Sequence, residues 1–445
     1  MEERSFDKWA GISESFTVRH YTSLLEWMSF GHVTAVRRPR AAYASGGIGP
    51  GSPMAPQAQL SRRRHRLNPL PNPTLKTVSI HRKSEKKQHM DTRIELGNLP
   101  IAAGAPVLVT GATGYVASWI VKSLLDAGVT VHAAVRDPRN AAKVQHLLDA
   151  AAASPGKLRL FESDLLRDGS YKEAMQGCRI VLHTASPFVR SVEDPQRDLV
   201  DPAVRGTHNV LEAANQVESV ERVVLTSSVA AMLGDAADIL GLPGQIVTEE
   251  SWNTTSSLAR EPYSYSKTCA EQEAWRIAGA QDRWRLVTVN PGLVIGPALN
   301  PDPTSESFNI ARQMVDGRAR FAAPRVTLTV VDVREVAYAH LAAAFLTEAQ
   351  GRHLLVAEST DIVDLGRRLM PSYGSRYPLP RRALPKPLAV AIAPAAGLDR
   401  SYLRSNIGFP FRGDTTKSRL VLGVRYRPAQ QSMEDMVAQL VRPSR

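Results

Sequence analysis

With 445 residues, 43% of them apolar, the chain is long enough for two or three domains with buried cores. Two cysteines, Cys178 and Cys269, exclude a disulfide framework and point to a reducing, cytoplasmic setting. The net charge of +12 suggests nucleic acid until it is located: residues 1–89 hold 15 Lys and Arg against 6 Asp and Glu, leaving only +3 for the body.

Residues 1–89 lack sustained periodicity and carry Arg37-Arg38-Pro39-Arg40 and Arg62-Arg63-Arg64-His65-Arg66 around a Gly/Pro/Ser-rich middle. Such a composition buries too little apolar surface to order itself, so a disordered basic leader is expected. An organelle-targeting or nucleic-acid-binding tail is the rival reading. No secretory core stands at the start, and Leu388 to Leu398, interrupted by Pro394, is too short to span a bilayer. The glycosylation acceptor Asn253-Thr254-Thr255 has no meaning without secretion. Met90 opens the body.

Val107-Leu108-Val109-Thr110 is an apolar, β-branched run that stops at Gly111, and Gly114 follows three residues later. Val116, Ile120, Val121, Leu124 and Leu125 then recur at helical spacing up to Gly128, giving strand, tight turn and helix. Gly111 permits the turn, Gly114 lets backbone approach a pyrophosphate, and Ala117 lets the helix pack on the strand. The anion would sit among unpaired N–H groups at the positive end of the helix. Further strands are predicted at Thr130–Val135, Leu158–Phe161, Ile180–His183, Val223–Thr226 and Leu286–Val289, with clear helices at Ala203–Asn215 and Tyr263–Ala278. This alternation demands right-handed crossovers and an α/β, Rossmann-type doubly wound parallel sheet. Residues 90–290 form the dinucleotide-binding domain on this reading. From 291 to 445 the rhythm becomes irregular and proline-rich, which suggests a smaller substrate-binding lobe intertwined with the first domain.

The second strand runs into Arg136-Asp137-Pro138, about twenty residues past the glycine turn. An acidic side chain there suits a ribose 2′-hydroxyl and an arginine suits a 2′-phosphate. Arg136 comes first, and its planar fork fits phosphate. Lys143 adds a second positive charge or is an ordinary exposed helix lysine. Asp164 either reads an adenine edge or caps the next element. His183 ends a buried strand and reads as a satisfied core histidine rather than a catalytic one. Trp252 lines a substrate mouth or packs at the surface.

Thr226-Ser227-Ser228 ends the fifth strand, and Tyr263-Ser264-Tyr265-Ser266-Lys267 opens the helix that follows, behind Pro262. Tyr263 and Lys267, at i and i+4, share one helix face. A lysine ammonium favours the ionised form of a neighbouring phenol. The phenol then donates a proton to a carbonyl oxygen as hydride arrives, and Ser228 polarises the same oxygen.

These motifs resemble those of the extended short-chain dehydrogenase/reductases, and closely the dihydroflavonol-4-reductase-like carbonyl reductases. The resemblance runs from about Val107 to the C-terminus. It rests also on Gly206-Thr207-His208-Asn209-Val210-Leu211, Asn290-Pro291-Gly292-Leu293-Val294-Ile295-Gly296-Pro297 and Val331-Asp332-Val333-Arg334. It implies Ser228, Tyr263 and Lys267 as catalytic triad and Asn209 as the residue holding a water linked to the lysine. It implies NADP as cofactor, with Arg136 and Lys143 at the 2′-phosphate, Asp164 and Leu165 at the adenine, and Thr184 and Pro291 at the nicotinamide. Tyr115, Val116, Ala185 and Val294 complete the expected cofactor contacts, together with Gly111, Gly114, Tyr263 and Lys267. Asp332 reads as a helix N-cap completed by Glu335.

Two departures bear on substrate. Leu233 stands where dihydroflavonol reductases carry a substrate-binding asparagine. Glu261-Pro262-Tyr263-Ser264-Tyr265 stands where cinnamoyl-CoA reductases carry Asn-Trp-Tyr-Cys-Tyr. The expectation is an NADPH-dependent reductase of a small-molecule aldehyde or ketone, without a metal or a membrane or nucleic-acid partner, monomeric or homodimeric. An NAD-dependent hydroxysteroid dehydrogenase or a sugar-nucleotide epimerase is the alternative among enzymes. A catalytically silent, nucleotide-sensing or RNA-binding protein is the alternative outside them.

Overall fold

Val107–Thr110 forms β1, buried on both faces as a central parallel strand must be. The computed structural model describes residues 105–187, 192–301, 303, 305–396 and 398–442; the expectations for 1–89 lie outside the described residues. After β1 the chain turns at Gly111 with φ +63°. A Cβ there would lie 2.8 Å from the Ala185 Cα, so the turn admits only glycine. Helix α1 (Tyr115–Asp126) buries Ala117, Ile120, Val121, Leu124 and Leu125 along one stripe.

The chain then runs β2 (Thr130–Val135), α2 (Ala141–Ala152), β3 (Lys157–Glu162), β4 (Ile180–His183), α3 (Asp201–Gln216), β5 (Arg222–Thr226), α4 (Pro262–Ala278) and β6 (Arg285–Pro291). Every strand predicted from the sequence forms, within two residues at either end. After β6 come β7 (Leu293–Ile295), α5 (Glu306–Val315), β8 (Ala323–Pro324), β9 (Leu328–Asp332) and α6 (Val333–Phe345). The remainder holds β10 (Gly351–Leu355), β11 (Glu358–Thr360), α7 (Ile362–Tyr373), β12 (Ala383–Leu384) and α8 (Ala429–Leu440), with shorter helices between.

Seven parallel strands make the main sheet, in the order β10-β6-β5-β4-β1-β2-β3. Its order reverses between β1 and β4, which opens a crevice beyond their carboxyl ends. One face is closed around Ile120, Leu124, Val131, Leu182 and Val336, and the other around Leu108, Val181, Leu211, Val223 and Trp284.

The chain past 291 returns to this sheet, because β10 pairs with β6 and α6 packs on α1. Asp332 caps α6 by accepting the Arg334 N–H at 2.8 Å, and Glu335 accepts the backbone N–H of Arg427. The rest forms a smaller lobe: a three-stranded sheet β11-β9-β7 and a two-stranded pair β12-β8. Its core gathers Phe308, Met314, Ile362, Leu369, Met433 and Met436 from three separate helices. Two aromatic residues of α1 fasten lobe to sheet. Tyr115 Oη donates to the Gly296 carbonyl at 2.6 Å, and Trp119 Nε1 to that of Pro297 at 2.8 Å.

Candidate active site

The ends of β1 and β4 are tied together by Thr110. Its Oγ1 bonds His183 Nδ1 at 2.9 Å and accepts the Ala185 N–H at 3.1 Å, while its carbonyl accepts Thr184 Oγ1 at 2.6 Å. Thr184 and Ala185 are thereby fixed beside the Gly111 turn. Helix α1 starts at Gly114 with no side-chain cap, so its first-turn N–H groups remain for an anion. Tyr115 and Val116 stand at that start. The Tyr115 ring itself turns to the lobe, packing edge-on against Phe308 at 5.5 Å.

At the end of β2, Arg136 is exposed and makes no ion pair among the described residues, and Lys143 is exposed on the first turn of α2. Asp137 is also exposed and accepts the Arg139 N–H of its own loop at 2.9 Å. At the end of β3, Asp164 accepts the Leu166 N–H at 2.8 Å, a cap within its own turn, with half-buried Leu165 beside it.

Two expectations need correction. Asn209 is not brought to the lysine: its Oδ1 accepts the Gly169 N–H at 2.9 Å, and its Nδ2 donates to the carbonyls of Arg167 at 2.8 Å and Leu165 at 3.1 Å. With both ends of its amide spent, it holds the 164–169 loop in place. His183 is only half satisfied, because its Nε2 is buried without a partner. Burial, with a smaller contribution from the Lys267 charge, pushes its pKa down to about 3, so the ring is neutral.

β5 leads into Ser227 and Ser228. Ser228 caps the tight turn Val229–Ala231, its Oγ accepting the Ala230 N–H at 3.1 Å, which leaves its own proton free to donate. That turn packs against α4. Pro262 is the first residue of α4, preceded by Glu261 in a left-handed conformation, φ +52°. Tyr263, on the exposed first turn, is 48% accessible. One turn on, Lys267 Nζ lies 5.7 Å from the Tyr263 ring centroid and donates to Ser186 Oγ at 2.8 Å. Ser186 escaped the sequence analysis; its one signal was its place three residues past the end of β4. Pro291 is buried at the end of β6, and Val294 follows on β7, its carbonyl accepting Ser307 Oγ.

Leu233 and Trp252, both weighed for the substrate side, also find their places. Leu233 is 7% exposed and packs with Met232, Val247, Leu354 and Phe411, so an apolar cluster occupies that position. Trp252 lies under the Arg352 guanidinium, 4.0 Å from ring centroid to Cζ.

Residues 107–357 match the model of the NAD dependent epimerase/dehydratase family. A cinnamoyl-CoA reductase of Medicago truncatula is 41% identical over 277 residues, covering 60% of this chain and 82% of that one. Tetraketide alpha-pyrone reductase 1 of Arabidopsis thaliana is 33% identical, over 76% of this chain and 96% of that one. Among solved structures, Gre2 of Candida albicans in complex with NADPH superimposes with a TM-score of 0.63 at 30% identity, covering 76% of this chain and 98% of that one.

Proposed function

The chain belongs to the NAD dependent epimerase/dehydratase family, and from that premise we propose that it reduces a small aryl or alkyl aldehyde or ketone to the alcohol, Tyr263 giving the proton. It is an oxidoreductase and its cofactor is NADP. The crevice fits that cofactor. A glycine-only turn faces Ala185, an uncapped helix start offers N–H groups, and Arg136 and Lys143 are exposed cations where a 2′-phosphate would lie. NADPH bound there supplies the hydride.

The chain's own residues handle the proton and the oxygen. Tyr263 presents its hydroxyl at an exposed first turn and donates to the carbonyl oxygen as negative charge develops on it. Ser228, with its O–H unspent, donates to the same oxygen. Lys267, held by Ser186, stabilises the phenolate left behind. Residues 293–332 and 358–442 then supply the substrate side. The apolar packing at Leu233 places no polar recognition group at that position, so discrimination among apolar carbonyls is modest, about 10- to 200-fold per methylene. The two free cysteines and the near-neutral body fit a cytoplasmic enzyme without a nucleic-acid partner.

The observation that carries this reading is the joint presentation of Tyr263 and Lys267 on α4 against the turn capped by Ser228. The test is NADPH oxidation, followed by absorbance, over a panel of aldehydes and ketones that includes a dihydroflavonol and cinnamoyl-CoA. Turnover of several small carbonyls is expected. NADPH binding with no turnover of any carbonyl would replace the reductase by a nucleotide-sensing protein.

A further inference from the structure

Beneath Ser228 lies a charged pair that the proton-transfer chemistry does not use. Glu271 is 1% exposed and Arg352 6%, and they meet with Nε–Oε1 at 2.6 Å and Nη2–Oε2 at 3.3 Å. Glu271 stands on α4, one turn beyond Lys267, whereas Arg352 comes from β10, some eighty residues later in the chain. The carboxylate also accepts Ser227 Oγ, Asn290 Nδ2 at 2.8 Å, Thr288 Oγ1 at 3.2 Å and Trp275 Nε1 at 3.2 Å. Arg352 is fully engaged in turn: Nη1 donates to the carbonyls of Glu249 and Ser251, and its plane covers Trp252.

A buried ion pair is weak evidence for stability, because an apolar pair of the same volume often does as well. What distinguishes this pair is where its hydrogen bonds lead. Asn290 Nδ2, bonded to Glu271, also donates to the Ser228 carbonyl at 3.2 Å. Ser227, which donates to the same Glu271 Oε2 as Asn290, is the residue immediately before Ser228. Lys267, Ser227 and Glu271 line one small cavity of about 20 Å³. The Glu271 charge is matched by Arg352, which leaves Lys267 to Ser186 and Tyr263.

We propose that Glu271 is a positioning residue that sets the place of Ser228 through Asn290 and Ser227, and that Arg352 fixes its carboxylate for that task. The proposal rests on the reductase reading, in which Ser228 polarises the carbonyl. A misplacement of about 1 Å costs on the order of 10²-fold in rate. Glu271→Gln should therefore lower kcat by about 10- to 100-fold, with carbonyl KM and NADPH affinity little changed.

The discriminating measurement is a double-mutant cycle with Ser228→Ala. Alone, Ser228→Ala removes one donor to the developing oxyanion and should cost about 10²–10³-fold in kcat. In the Glu271→Gln background the same change should cost about 10- to 100-fold less than it does alone, because the serine is already out of place. Should Glu271→Gln fail to fold, Asn290→Ala cuts the link to Ser228 with the ion pair intact, and the same loss of additivity is expected. Full additivity in the folded variant would overturn the proposal while leaving the reductase reading untouched. A parent that turns over no carbonyl sinks that reading instead. A crystal structure of Glu271→Gln then decides the positioning claim by itself: a displaced Ser228 supports it and an unmoved one overturns it.

Discussion

Residues 107–291 build most of their core from strands and helices that follow one another in the chain, completed by α6 and β10 from beyond 291. The lobe gathers its core from α5, α7 and α8, separated by stretches of some fifty residues, with strands of two to five residues between them. The first region therefore carries its fold in local periodicity, and the second carries it in contacts that no window of sequence contains. Chemistry follows the same division. Gly111, Arg136, Ser228, Tyr263 and Lys267 all stand just past strand ends or in the first two turns of a helix in the first region. The lobe is joined to this region by the bonds from Tyr115 and Trp119 and by others, among them Asn406 with Asp235 and Ala236, and the backbone of Val247 with Arg412 and Asp414.

The largest effect expected from breaking the first region is on turnover. Tyr263→Phe removes one hydroxyl from an exposed position and should lower kcat by about 10²–10⁴-fold, with NADPH affinity barely moved. Tyr265 lies two positions along α4, about 200° round, and Tyr265→Phe should keep most activity. A Tyr263→Phe enzyme at the parental rate would remove the proton donor from the proposed mechanism. Next in size is cofactor choice. Arg136 is exposed at the end of β2 with no ion pair among the described residues, so Arg136→Ala should weaken NADPH by the roughly 1.5–3 kcal/mol of a charged hydrogen bond and leave NADH nearly unchanged. Equal kinetics with both cofactors in the parent would show that Arg136 meets no phosphate.

The same division governs what could be read from the chain before its structure. β1, the Gly111 turn, α1 and the Tyr263–Lys267 spacing were legible because apolar runs, glycines and the i, i+4 rule act over a few residues. Asn209 was misread because nothing near it in sequence shows that the 164–169 loop arrives to take up its amide. Ser186 and the Glu271–Arg352 pair were missed for the same reason: their partners lie some eighty residues away. The left-handed Glu261 was also illegible. A non-glycine residue at positive φ, preceding proline, is a local cost that only surrounding packing can hold in place.

Acid and base should act on the two regions with opposite signs. In the main sheet, His353 on β10 is buried with neither ring nitrogen bonded, and burial pushes its pKa down to about 3. Its unfolded value is about 6.5, so its contribution to stability is intact above pH 6.5 and lost as pH falls toward 3. In the lobe, Glu306 at the start of α5 has its pKa raised to about 7 by burial, so its contribution is present below pH 4.5 and lost as pH rises through 7. His353→Leu should remove up to about 1.4 kcal/mol per pH unit of the acid loss, read from urea midpoints across pH 4–7. Glu306→Gln should instead flatten the curve between pH 4.5 and 7. An unchanged acid limb in His353→Leu would mean that this ring titrates alike in folded and unfolded chains.

The smallest effect tests the seam between the regions. Tyr115 belongs to α1 by sequence and to the lobe by its side chain, since its hydroxyl meets Gly296 and its ring packs on Phe308. Burial, with the Asp332 charge acting in the same sense, holds the phenol protonated well above the ordinary tyrosine range, so it is a donor throughout the working pH range. Tyr115→Phe keeps the ring and deletes only the donor. The net worth of such a bond is about 0.5–1.5 kcal/mol, with a further cost if the Gly296 carbonyl finds no new partner. That loss should fall on the seam rather than on the sheet. Hydrogen exchange should quicken in β7 and at the Gly296 amide, while β1, β2 and β4 keep their protection. The α1 N–H groups are unaltered, so NADPH affinity should hold and carbonyl KM should rise. If exchange instead quickened across β1 and β2 together with the lobe, the two regions would be a single cooperative unit, and the division drawn from their sequence patterns would have no counterpart in stability.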